Sequence, residues 1–207
     1  MKKILLLILS LWASQALAHP HAFIDLKTKV LVENNQFVGF STQWTLDEPS
    51  SSELLYELQF SDEQGKRDLT EQMFKNVVAE HYFSYLYDKQ NNKIKFKKQP
   101  ENYGLKAVGS RLQYHFDVRL AKPVALSNNV FTLMIYDKTY YVAMFYQLAD
   151  KTAVDFSALP SQCHGKLLEP HVDDKIQQYA LSLDKTQRDE DDTLGQMFAQ
   201  KIQIECQ

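Results

Sequence analysis

Glycine is sparse and scattered, 6 in 207 residues with no clustering, which excludes a glycine-rich phosphate loop and the nucleophile elbow of serine hydrolases. Charge of one sign is lacking as well. The chain carries 23 basic and 26 acidic residues for a net charge of -3, interspersed rather than blocked, so no basic face for DNA or RNA is expected. Beyond residue 18 no apolar run approaches the roughly 20 residues that cross a bilayer, and stable membrane insertion of the remaining chain is not expected. Cysteine is limited to Cys163 and Cys206, too few for a paired Cys-x-x-Cys zinc site or a thiolate cluster that would select Cu(I). What remains is 44% hydrophobic and 12% aromatic, enough for a substantial core. There is no internal repeat and no low-complexity segment.

The first residues carry a targeting pattern. Lys2 and Lys3 precede an apolar run over 4–11, and Ala16-Leu17-Ala18 follows as a small-x-small cleavage site, the three-part layout of a secretory signal. A membrane anchor is the alternative, for which the run is short. Cleavage after Ala18 divides the chain into a signal peptide, 1–18, and one exported domain, 19–207, beginning His19-Pro20-His21. Two cysteines in a chain that leaves the reducing cytosol predict a Cys163–Cys206 disulfide; free thiols or a metal site are the competing reading.

Hydrophobic periodicity predicts an α+β fold, an antiparallel β-rich domain with a helix-loop-helix insertion and a C-terminal helical segment. Loose alternation over 23–32 and 36–46, around the turn cluster Glu33-Asn34-Asn35, predicts a hairpin. Pro49-Ser50-Ser51-Ser52 starts a helix over 53–60, and Leu69, Met73, Phe74 and Val77 mark a second over 69–79, with Gly65 in the loop between them. Strands are expected over 82–87 and 93–97, flanking Asn91-Asn92, and over 103–108, 113–120, 130–136 and 140–146. Helices over 173–183 and 193–200, the second capped by Thr193, lie on either side of the acidic turn Asp189-Glu190-Asp191-Asp192, and a last strand runs over 201–206.

The chemistry is concentrated at the new N-terminus. A cleaved chain gives His19 two nitrogens, its α-amine and its imidazole, and the amine's ordinary pKa of about 8 lets it yield its proton to a metal near neutral pH. In an extended segment His21 shares the face of His19, and Asp25 continues it. Pro20 removes a backbone N–H, which rules out the square-planar amide chelate of a third-position histidine. Nitrogen donors with a carboxylate suit Zn²⁺, Ni²⁺ or Cu²⁺ better than Ca²⁺ or Mg²⁺; a solvated, metal-free N-terminus is the plain alternative. Asp47, Glu48 and Asp137 are the carboxylate candidates, because they interrupt otherwise apolar strand-end motifs, although a turn cap or surface ion pair is the ordinary role of each. His164 and His171 could join the cysteines on zinc, without the usual spacing. The segment from Phe60 to Glu71 resembles a calcium loop in its acidic positions, but Phe60 stands where the first oxygen ligand belongs, so Ca²⁺ binding is not expected.

Four motifs in order, His19-Pro20-His21-Ala22-Phe23-Ile24-Asp25, Gln43-Trp44-Thr45-Leu46-Asp47-Glu48, His81-Tyr82-Phe83-Ser84-Tyr85 and Ile135-Tyr136-Asp137-Lys138-Thr139-Tyr140-Tyr141-Val142-Ala143, together with Cys163 and the closing stretch from Leu194 to Cys206, resemble the uncharacterised periplasmic family catalogued as domain of unknown function 1007. The resemblance implies a periplasmic component of an ABC-type transport system, found beside nickel/cobalt-type permeases, with zinc uptake attributed to a ZevA-like branch. Phe60 departs from the acidic residue of many relatives.

The expectation is therefore a periplasmic transition-metal-binding accessory protein, not an enzyme, serving an inner-membrane metal permease. Its ligands would be His19 and His21 with Asp47, Glu48 or Asp137, and its metal zinc, with nickel or copper as competitors. A copper-dependent oxidative enzyme built on the N-terminal histidine chelate, and a metal-free structural adaptor of a permease, are the alternatives.

Overall fold

The computed structural model describes residues 20–183 and 192–207. The expected signal segment 1–18, His19 and the acidic residues 189–191 lie outside them. The α+β expectation holds: the strands form two β-sheets around one core, with helices to the side.

Asn34 and Asn35, both at positive φ (50° and 58°), make the two-residue turn whose twist matches a hairpin. They join β1 (Ala22–Glu33) to β2 (Gln36–Leu46). The five-strand path of the first sheet is β4-β5-β2-β1-β7, where β4 is Glu101–Val108, β5 is Arg111–Ala125 and β7 is Val142–Phe145. Alternation in β5 turns Leu112, Tyr114, Phe116, Val118 and Leu120 inward, as a period of two requires. At Gly39 (φ +146°) the β2 register slips, and a Cβ there would run into the Val118 carbonyl. The second sheet is β3-β6-β10-β9, with β3 Ser84–Tyr87, β6 Val130–Ile135, β9 Cys163–Leu168 and β10 Lys201–Cys206. Phe40, Trp44 and Phe116 from the first sheet and Leu86, Phe131, Ile135, Ile202 and Ile204 from the second belong to one buried cluster. Cys163 lies opposite Cys206 in the β9–β10 register and is disulfide-bonded to it.

Helices α1 (Glu48–Phe60) and α2 (Glu63–Ala79) form the insertion, and the rings of α2's Phe74 and β5's Phe116 lie 5.4 Å apart, edge to face. The helical segment near the C-terminus comprises α3 (Asp174–Ser182) and the short α4 (Leu194–Phe198).

Several boundaries differ from the sequence reading. The first helix starts at Glu48 because Asp47, not the serine run, caps it. Gly65 is inside α2, its N–H bonded to the capping carboxylate of Asp62, so the calcium-like segment is helix rather than loop. Residues 93–97 make only isolated bridges, Lys93 to Tyr87 and Phe96 to Leu120. The strand over 140–146 is confined to Val142–Phe145, and Thr193 makes no side-chain cap. β8 (Val154–Asp155) and β9 carried no recognised pattern, and β1 pairs in parallel with both β7 and β8.

Between α2 and β3 the chain makes a left-handed turn at His81, Tyr82 and Phe83 (φ 52°, 59° and 48°). Such a conformation costs roughly 1–2 kcal/mol per non-glycine residue. It is held by burial of the Tyr82 ring, by its hydroxyl donating to the Lys97 carbonyl at 3.0 Å, and by Tyr136 N–H donating to the Phe83 carbonyl at 2.9 Å. Removal of the Tyr82 hydroxyl from water pushes its pKa up to about 12.

Candidate functional site

The start of β1 is fixed from two sides. Toward β7, His21 N–H donates to the Tyr141 carbonyl at 2.9 Å, and the pairing runs on in parallel from Ala22 opposite Val142. Toward α1, Phe23 N–H donates to Asp47 Oδ2 at 2.8 Å, and Asp47 N–H returns a bond to the Phe23 carbonyl at 2.9 Å. The His21 ring is half-buried with its centroid 4.8 Å from that of Tyr141.

Both nominated aspartates serve backbone groups here. Asp47 has extended φ/ψ, and its Oδ1 accepts from Ser50 N–H at 2.8 Å, satisfying a first-turn donor of α1. Partial burial works to raise its pKa, but the bonds from Ser50 and Phe23 and the charge of Arg111 outweigh it and hold the carboxyl below its ordinary value. Asp137 closes the turn into β7: Oδ1 accepts from Thr139 N–H and Oδ2 from Val142 N–H, each at 3.1 Å. Gly195 of α4 packs so tightly on the Asp137 carbonyl that a Cβ has no room. Glu48, exposed, accepts from the Ser110 hydroxyl at 2.5 Å.

Arg111 and Gln147 had no signal in the sequence, yet they converge on Asp25. Arg111 bridges to Asp25 Oδ2 at 2.6 Å while also donating to the Leu46 and Thr45 carbonyls, and Gln147 donates to Asp25 Oδ1 at 2.9 Å. Asp25 and Arg111 are 86 positions apart, and only the sheet brings them together.

Of the nominated residues, His21 thus lies just ahead of β1, with Asp47 on one side and the Asp137 turn on the other. No three His, Cys, Asp or Glu side chains among the described residues form a group able to hold a metal ion. His19, which would supply two of the three expected nitrogen donors, is outside the described residues. Zinc held by His164 and His171 with the cysteines is overturned, because both sulfurs are in the disulfide.

The model of a family described as "Protein of unknown function (DUF1007)" matches residues 4–206. The chain belongs to the DUF1007 family. An uncharacterized protein of Haemophilus influenzae is 59% identical over 192 residues, covering 92% of each chain. No solved structure matches, so comparison brings no ligand to this fold.

Proposed function

We propose that this DUF1007 protein is exported to the periplasm, loses residues 1–18, and binds a transition metal through its new N-terminus to serve an inner-membrane metal permease. The supporting observation is the fixed start of β1: backbone bonds to Tyr141 and Asp47 at residues 21 and 23 hold the backbone at His21, and a ligand held in advance loses less freedom on binding. His19 would contribute its amine and ring and His21 its imidazole. Glu48 is the carboxylate with the fewest backbone duties, whereas Asp47 and Asp137 act by positioning. Zn²⁺ fits this donor chemistry, with nickel, cobalt and copper as rivals. The role is binding and delivery rather than catalysis.

A metal-free adaptor of the permease is the second reading. It is favoured by the lack, among the described residues, of a three-ligand group, and by exposed Tyr56 and Phe60, whose rings lie 4.6 Å apart on α1. A copper-dependent oxidative enzyme is the third.

The test is native mass spectrometry of protein purified from the periplasm, with N-terminal sequencing, followed by permease pull-down with wild type and a His19→Ala/His21→Ala variant. One bound metal ion, lost together with permease function in the variant, supports the proposal. Permease binding unaffected by the variant, with no metal in either protein, supports the adaptor, and copper-dependent turnover supports the enzyme.

A further inference from the structure

A cavity of about 500 Å³ opens beside the left-handed turn, away from the residues nominated for metal, and it has the makings of a second binding site. Its wall is mostly apolar, formed by Val78 at the end of α2, Tyr82 of the turn, and Ile94 and Phe96 of the bridging segment. Its rim is cationic: Lys93, Lys95, Lys97 and Lys98 all line it, and no acid does. Lys97 is paired with Glu101 and Lys93 lies over the Tyr85 ring, but Lys95 and Lys98 have no acidic partner among the described residues. In a chain of net charge -3, a run of lysines alternating with two inward apolar residues stands apart from the general balance.

The cavity is built rather than incidental. Residues 93–97 span the two sheets: Ile94 N–H donates to the Leu86 carbonyl of β3, and Lys97 N–H to the Arg119 carbonyl of β5, each at 2.8 Å. The opposite wall is the turn at His81, Tyr82 and Phe83, and the Tyr82 hydroxyl ties it to the Lys97 carbonyl. Unfavourable backbone conformations that the surroundings over-determine are found preferentially at ligand clamps, and the volume lies within the roughly 300–1,000 Å³ of small-molecule sites.

We infer that this cavity binds an amphipathic anion, its apolar tail against Val78, Tyr82, Ile94 and Phe96 and its carboxylate or phosphate head at Lys95 and Lys98. An apolar wall rewards burial of a tail in proportion to its area, and lysine ammonium groups at the rim can form charge-assisted bonds to the head. The site does not depend on the metal reading. A free acyl anion and an anionic phospholipid share this chemistry, and different probes separate them.

The experiment is isothermal titration of the mature protein with decanoate below its micellar concentration and with uncharged decanol, together with flotation on phosphatidylglycerol vesicles. The same measurements are made on Lys95→Glu/Lys98→Glu, whose side chains are exposed, and on Val78→Trp, which fills the cavity, with melting curves to confirm folding. Decanoate is expected to bind at least about tenfold more tightly than decanol, and each variant to weaken it by at least about tenfold. Vesicle binding that Val78→Trp abolishes, without decanoate binding, makes a phospholipid the source of the anion and supports the site. Binding of neither probe, binding that both variants leave within twofold, or vesicle binding that the filled cavity does not disturb would overturn it.

Discussion

Phe23 and Asp47 exchange two hydrogen bonds, Phe23 N–H to Asp47 Oδ2 at 2.8 Å and Asp47 N–H to the Phe23 carbonyl at 2.9 Å. Through this pair one carboxylate serves both the start of β1 and the first turn of α1, where it also accepts from Ser50. The cap is thus coupled to the position of the start of β1.

Asp47→Ala is expected to lower stability by about 1–3 kcal/mol, combining a lost N-cap with an orphaned strand N–H, and Asp47→Asn to lose only part of this, because its single amide oxygen can accept from either Ser50 or Phe23 but not both. The charge adds a pH dependence. Since the folded-state pKa of Asp47 lies below the ordinary 3.8, its contribution is present above that value and lost as pH falls through the lower folded value. Urea denaturation from pH 6 downward should show the gap between wild type and Asp47→Asn narrowing only below about pH 4; an unchanged gap there would remove the carboxylate's charge from the account.

Gly195→Ala tests the packing behind Asp137. The added methyl meets the Asp137 carbonyl, and Gly195 N–H already donates to the Lys138 carbonyl at 2.9 Å, so α4 has to move away from the turn. A loss of about 1–3 kcal/mol is expected, the usual cost of overpacking. Amide exchange at Val142, whose N–H is held by Asp137 Oδ2, should quicken relative to amides in β5. A melting temperature equal to wild type would mean that this contact contributes nothing.

The disulfide is a staple across β9 and β10. It joins residues separated by 43 positions, and the chain-entropy model assigns a loop of that length about 4 kcal/mol. Thiol labelling of denatured, unreduced protein should find no reactive cysteine, and a Cys163→Ser/Cys206→Ser variant should melt well below wild type.

Local chemistry made much of the fold legible. The Asn34-Asn35 turn, the alternation of β5 and the periodic Leu69, Phe74 and Val77 of α2 are each specified by neighbours within a few positions, and each formed. What escaped were relationships between distant residues. The parallel pairing of Ala22–Asp25 with Val142–Phe145 leaves no mark in either segment, and Arg111 reaches Asp25 only after β1, β2 and β5 are assembled. Residues 93–97 alternate like a strand, yet they bridge two sheets instead of joining one, because their ends bond to β3 and to β5. Asp47 was singled out for its position in an apolar motif, and that position is explained by capping, the more ordinary duty of an aspartate ahead of a helix.

The last prediction concerns the N-terminal nitrogens. An internal histidine has one ring to offer, whereas a first-residue histidine adds an amine on the same residue, and the two close a chelate with little loss of freedom. If the mature chain begins at His19, one extra residue ahead of it converts that amine to an amide and leaves both imidazoles intact. Zn²⁺ affinity measured by titration should then fall by at least about tenfold in the extended protein, and further in the His19→Ala/His21→Ala variant, because each step removes a donor that must be unprotonated to bind. Asp47→Ala should weaken Zn²⁺ less than either, since it loosens the start of β1 next to His21 without removing a nitrogen donor. Equal affinity in the mature, extended and double-alanine proteins would place any metal site away from the N-terminus.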